Sequence, residues 1–302
     1  LTDANDLSLL GVVSGNLTTV AGTTTNYGTT TVSGNLLQTG AGAVTQTAAT
    51  TLGVTGTSGF TNGSGNDITL ANTGNNFGGV ATVTSGNNVS LKDANALSVR
   101  GAIAGNLTTV AGTTTTYGTT TVGGNLLQTG AGAVTQTAAT TLGVTGTSGF
   151  TNGSGNDITL ANTGNNFGGI ATITSGKNVS LTDGDSLSLA GSISGNLTTV
   201  AGTTSNYGTT TVGGNLLQTG AGAVTQTGAT TLTVTGTSGF DAGVTSDVTL
   251  ANTGNNFGGV VTITSGNNVN LKDANALNLA GTVTGNLTTV AGTTTTYGTT
   301  TV

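Results

Sequence analysis

The chain has 302 residues, of which 5% are charged and 3% aromatic, with 54 Gly and no Pro, Cys, His, Met or Trp. Four basic residues against ten Asp leave no basic patch for a phosphate backbone, which argues against nucleic-acid binding. Lack of Cys and His removes zinc, haem and most transition-metal sites, so no cofactor is expected. No apolar run approaches the ~18 residues of a membrane span, so this segment is not expected to insert into a membrane.

Strand-like runs follow one another from the start of the chain, at 7–9, 29–32, 43–47, 67–70, 80–84 and 89–91. They are rich in Thr and Val, whose branched Cβ suits extended backbone. Between them lie corner clusters such as Ser14-Gly15-Asn16, Ser33-Gly34-Asn35 and Ser85-Gly86-Asn87. Gly and Asn tolerate the left-handed backbone that sharp corners need. No window has apolar residues at helical spacing, and Gly at this density would cost a helix about 1 kcal/mol per occurrence.

The series then repeats. Residues 1–90, 91–180 and 181–270 are three copies of one unit, and 271–302 begins a fourth. The first two copies differ at 12 of 90 positions, several of them apolar swaps such as Val80 to Ile170 and Val83 to Ile173. A fixed long period marks a solenoid, in which each unit packs only on its neighbours. The expected organisation is one continuous array over 1–302. Its start matches the interior copies and its end falls mid-copy, so the sequence reads as a fragment of a longer chain.

A finer period lies inside the copy. The apolar residues after successive corners are Leu17, Leu36, Leu52, Ile68, Val89 and Leu107, at steps of 19, 16, 16, 21 and 18 residues. This predicts an all-β parallel β-helix with about 18 residues per rung and five rungs per 90-residue repeat. At about 4.8 Å per rung the array would reach roughly 80 Å. Asn16, Asn35 and Asn88 each precede a core apolar residue and are expected to form a hydrogen-bonded ladder between rungs. Phe60 and Phe77, about one rung apart, are expected to stack. Tyr27, Tyr117, Tyr207 and Tyr297 recur one copy apart, too far to touch.

The runs Gly15-Asn16-Leu17-Thr18, Gly42-Ala43-Val44-Thr45-Gln46-Thr47, Gly65-Asn66-Asp67-Ile68-Thr69-Leu70, Asn75-Asn76-Phe77-Gly78-Gly79-Val80 and Leu91-Lys92-Asp93-Ala94-Asn95-Ala96-Leu97 resemble repeats of filamentous-haemagglutinin-like bacterial surface adhesins. Such proteins are exported by two-partner secretion or as autotransporters. The resemblance spans all the copies and implies a right-handed parallel β-helix in an extracellular or cell-surface fibre. It also implies roles in adhesion, aggregation or biofilm. Near-identity of the copies favours a shaft over a binding tip. The expected partners are neighbouring repeats of the same or identical chains, with host or matrix glycans as a further class. Alternatives are a self-polymerising filament and a carbohydrate-binding β-helix.

Asp183 and Asp185, two apart, are placed to share a strand face as a catalytic pair, but Asp185 answers to Asn5, Asn95 and Asn275. The chain offers no Glu or His to support them, so no enzyme is expected. Gly63-Ser64-Gly65-Asn66-Asp67-Ile68-Thr69-Leu70 resembles a single calcium-binding nonapeptide. It occurs once per copy rather than in tandem, so a structural corner is favoured. Asn16-Leu17-Thr18, Asn62-Gly63-Ser64 and Asn88-Val89-Ser90 are glycosylation triplets in a Thr- and Asn-rich chain, where such triplets arise by chance. Thr23 to Thr25 and Thr29 to Thr31 suggest flat hydroxyl rows of the kind that bind ice. Lys92-Asp93 and Lys272-Asp273 read as solvated surface charge.

Overall fold

The computed structural model describes residues 1–302, which form strands joined by turns, bends and irregular corners, with no helix. The chain divides into two compact units, Leu1–Ser148 and Gly149–Val302. In each unit parallel strands stack as a β-solenoid, and the chain as a whole holds about 16 turns of about 19 residues.

In the first unit each turn contributes strands to two parallel ladders. One runs through Leu7–Val13, Thr25–Val32, Val44–Gln46, Ile68–Leu70, Val89–Asp93, Leu107–Ala111 and Leu126–Gly130. The other runs through Thr2–Asp3, Leu17–Ala21, Leu36–Gly40, Ser58–Thr61, Ala81–Gly86, Leu97–Ile103 and Thr115–Val122. The long strand Thr25–Val32 bends near Gly28. Its first half pairs with Val44–Gln46 and its second with Leu52–Val54, so residues 47–51 are squeezed out as a bulge.

The second unit is built the same way. One ladder includes Val179–Asp183, Leu197–Ala201, Leu216–Gly220 and Ser238–Asp241. The other includes Leu187–Ile193, Ser205–Val212 and Val224–Gln226, with Leu232–Val234 on the bent half of Ser205–Val212.

Alternate residues of each strand point inward, as the BeBeB burial of Leu17–Ala21 shows. Leu36, Val44, Leu52, Ile68, Val89 and Leu107 line the core at 1% exposure or less, each contributing roughly 1.5–3 kcal/mol on burial. The ladders are opposite walls of this core. Thr19 on one wall meets Tyr27 on the other, hydroxyl to hydroxyl at 3.0 Å, and the same pair recurs as Thr109–Tyr117 at 2.7 Å and Thr199–Tyr207 at 2.8 Å. Burial pushes the Tyr27 phenol up to about 12, an effect its Thr19 bond partly offsets. The Phe pairing differs from the expected stack. In the third copy Phe240 and Phe257 meet edge-on across the core, centroids 6.4 Å apart at 85°. Seventeen residues is less than the local turn, which spans 23 from Ser238 to Val261, so the second ring lands on the facing wall.

The register refines the rung count. Leu7 aligns with Thr25, Val44, Ile68, Val89 and Leu107 in turn, at steps of 18, 19, 24, 21 and 18 residues. Five turns thus cover 100 residues, 20 per turn, and a 90-residue copy makes four and a half turns. The lower whole-chain average includes incomplete end turns. The marker series Leu17, Leu36, Leu52, Ile68, Val89, Leu107 reads as five rungs because it switches ladder at the bulge, between Leu36 and Leu52. As a consequence Leu7 and its equivalent Leu97 lie on opposite walls.

Candidate functional site

The residues nominated by the sequence do not converge. Asp183 is buried at 1% exposure, its carboxylate accepting the Phe167 and Asp185 amides at 2.8 Å each. Asp185 stays at the surface and accepts Asn166 Nδ2 at 2.8 Å. The two carboxylates therefore point apart instead of sharing a face. Burial, reinforced by the Asp185 charge, raises the Asp183 carboxyl above its ordinary range against the pull of its two amide bonds.

The same corner corrects the reading of Lys92-Asp93 and Lys272-Asp273. Asp93 and Asp273 are 1% exposed. Asp93 takes the Phe77 and Asn95 amides, both at 2.7 Å, and Asp273 takes those of Phe257 and Asn275. Period-two alternation turns the Asp inward and leaves its Lys neighbour outside. Desolvation raises the Asp93 carboxyl despite those bonds.

In the calcium-like motif, Asp67 Oδ1 faces the next turn and accepts Asn88 N at 3.0 Å, Asn88 Nδ2 at 3.1 Å and Asn87 Nδ2 at 3.0 Å. Asp247 repeats this arrangement, and the Asn268 amide holds its carboxyl below the ordinary value. Nowhere do three acidic side chains gather around one point.

The Asn ladder is present in a modified form. Each Oδ1 accepts the backbone N–H one turn on: Asn16 from Asn35 at 2.8 Å, Asn35 from Thr57 at 2.8 Å, Asn88 from Asn106 at 3.1 Å, Asn106 from Asn125 at 2.8 Å. The side chain caps a backbone donor at the corner, where strand pairing has lapsed. Among the glycosylation triplets, Asn62 is fully buried, donating to Gly42 O at 2.6 Å. The hydroxyl rows are interrupted as well. Thr25 and Thr30 face the core, where Thr25 accepts Gln38 Nε2 at 3.3 Å and Thr30 donates to Gly28 O at 3.2 Å.

The bulge at residues 47–51 carries no sequence motif. At the bulge, Thr50 N and Oγ1 both donate to Thr47 O, at 3.3 and 2.6 Å, closing a tight turn. The turn sets Ala49 at φ 61°, and Ala139 and Ala229 repeat this at 58° and 59°. A left-handed Ala costs about 1–2 kcal/mol, so the surroundings must hold it. They do so through an amide pair: Gln46 Nε2 donates to Asn75 Oδ1 at 2.6 Å and Asn75 Nδ2 to Gln46 Oε1 at 2.9 Å. Asn75 Oδ1 also accepts Leu52 N, at 2.9 Å. Asn72, on the loop one turn on, clamps the bulge through Thr47 O at 2.7 Å and Thr50 O at 3.0 Å.

The third copy repeats all of this through Gln226, Asn255 and Asn252. There the two loops enclose an open groove of about 370 Å³, lined by Thr, Asn, Ala and Gly. The available signal was length. The step from Val44 to Ile68 is 24 residues where most neighbouring steps are 18 or 19, and the excess is the bulge.

A family described as repeats of unknown function, DUF5649, matches residues 14–84, 104–174 and 199–264. The chain belongs to the DUF5649 repeat family. The first DUF5649 segment runs from the corner before Leu17–Ala21 into Ala81–Gly86 and contains the whole bulge and its clamp. No curated protein and no solved structure gives a match.

Proposed function

We propose that this DUF5649 array is a shaft segment of an exported bacterial fibre of the filamentous-haemagglutinin-like kind, acting in adhesion, aggregation or biofilm. The observation that carries this reading is the near-identity of copies stacked turn on turn, 12 differences in 90 positions between the first two. Selection for one binding tip would single out one copy, whereas a spacer needs every turn to pair with the next. Side chains support the same end. The Asn caps, the buried Asp corners and the amide pairs all join one turn to another, so they stiffen the stack. The reading places the segment outside the cell or on its surface, gives it no enzymatic role, and makes its first partners the neighbouring repeats of its own or identical chains.

The test uses the full-length protein in its host. Antibody against residues 91–180 should decorate unpermeabilised cells and label fibres at intervals between cell and tip. Labelling confined to permeabilised cells would end the proposal. A second reading, binding of host or matrix glycans by the array, is favoured by the groove at the bulge.

A further inference from the structure

We infer that Asn62-Gly63 and Asn152-Gly153 are latent deamidation sites, silent while the turns stay stacked and converted irreversibly when the corner parts from its neighbours. Asn-Gly is the dipeptide most open to this chemistry, because Gly has no Cβ to shield its own backbone nitrogen. That nitrogen attacks the Asn Cγ, the new N–C bond closes a five-membered imide, and the Cγ–Nδ2 bond breaks. Nδ2 leaves as ammonia, taking up the proton that the Gly amide sheds. Water then opens the imide at either carbonyl, giving Asp or isoaspartate with no change of oxidation state. The two sites occupy equivalent positions, and no other Asn in the chain is followed by Gly.

The folded chain blocks the reaction at each of its groups. Asn62 is fully buried, and its Nδ2 donates to Gly42 O at 2.6 Å on the turn before. The Gly63 nitrogen donates to Ser85 Oγ at 2.9 Å on the turn after, so the nucleophile is aimed away from the Asn62 side chain. Asn62 Oδ1, on which negative charge would build during attack, has no donor beside it. In the second copy Asn152 is likewise buried, and the Gly153 nitrogen donates to Ser175 Oγ at 2.9 Å.

The bonds that block the reaction also join the turns. Asn62 N donates to Ser85 O at 3.0 Å, and Asn66 Nδ2 ties the same corner back to Ala41 O at 3.0 Å. Parting from the turn before releases the leaving group, and parting from the turn after releases the nucleophile. A carboxylate formed at 62 would face Gly42 O acceptor to acceptor, buried and unpaired, so the corner would not reseat. The third copy carries Asp241-Ala242-Gly243 at this corner and has no amide there to lose. Opening of the stack is therefore recorded in the first two copies and not in the third.

The test holds the purified 302-residue chain in warm, mildly alkaline buffer, with and without denaturing urea, and follows replacement of NH2 by OH with tandem mass spectrometry. Trypsin cuts after Lys92, Arg100, Lys177 and Lys272, which puts Asn62, Asn152 and Ala242 on separate peptides. Conversion at both sites should be at least about a hundredfold slower without urea, each tenfold corresponding to about 1.4 kcal/mol of opening free energy. Ser85→Ala releases the Gly63 nitrogen and should speed conversion at Asn62 about fivefold in the folded chain, the worth of one hydrogen bond, while Asn152 keeps its native rate. Asn62→Asp, one product of the reaction, should lose hydrogen-exchange protection over 60–66, and Asn62→Ala should keep it. The inference is overturned if conversion is as fast without urea as with it, or if Ser85→Ala leaves Asn62 unchanged or speeds both sites equally. Full protection in Asn62→Asp would overturn the irreversible step.

Discussion

Gly11 and Gly101 are equivalent residues at φ 128° and 130°, and they differ in what lies behind them. A Cβ on Gly11 would meet nothing within 4 Å, while one on Gly101 would sit 1.8 Å from Val83 O. Gly11→Ala therefore carries only the backbone penalty of a φ that side-chain-bearing residues rarely adopt, about 1–3 kcal/mol. Gly101→Ala carries the same penalty plus an overlap of about 1.6 Å relative to the 3.4 Å at which ordinary contact begins. Relief requires the turns to part locally. A neighbouring bond such as Ala104 N to Gly86 O, now 2.9 Å, would then exceed hydrogen-bond range. Loss of two or three ladder bonds at about 1 kcal/mol each, with stranded buried donors, puts the total at about 4–6 kcal/mol. Urea denaturation compares the two variants, and hydrogen exchange on peptides from 81–103 locates the opening. If the two variants fall within about 1 kcal/mol of each other, the account of how turns touch is wrong.

Three further outcomes are expected. Asp93 and Asp183, raised by burial, hold their proton more tightly folded than unfolded, so their contribution is present at low pH and lost as pH rises past the ordinary value of 3.8. In Asp93→Asn that loss of stability above pH ~4 should shrink, and an unchanged slope of stability against pH would refute the assignment. Tyr117→Phe strands the buried Thr109 hydroxyl and should cost about 1–3 kcal/mol, while adding Thr109→Val should restore part of it; a purely additive double-mutant cycle would count against the pair. Asn62→Ala should cost no more than about 1 kcal/mol, because Asn62 Oδ1 has no partner and the third copy already carries Ala242 there; a loss above about 2 kcal/mol in thermal unfolding would show a missed role.

The fold was legible because period and corner chemistry agree. Gly15-Asn16 and Gly34-Asn35 mark stacked corners, and the Gly is needed where the Asn16 carbonyl would lie 2.4 Å from a Cβ on Gly34. Ladder identity was not legible. Leu36 and Leu52 look alike in sequence, and only pairing shows that Leu52 belongs to the wall of Leu7. Asp93 was misread as surface because a charged residue beside Lys92 carries no local sign that two backbone amides await it inside. The bulge was hidden for a similar reason. Thr47-Ala48-Ala49-Thr50 contains no Gly, so its left-handed turn is imposed by the Gln46–Asn75 pair, 29 residues apart in sequence.

A repeat that advances four and a half turns gives copy number a parity. Gain or loss of one whole copy would add or remove one unit of 90 residues. A single gain or loss leaves strand pairing intact, because the two walls accept the same strands, yet it rotates everything beyond the event by half a turn. Two gains restore the original facing. An arrangement in which both walls accept each strand thus tolerates any whole number of copies for stability, while the direction faced by whatever lies further along the chain is set by whether that number is odd or even.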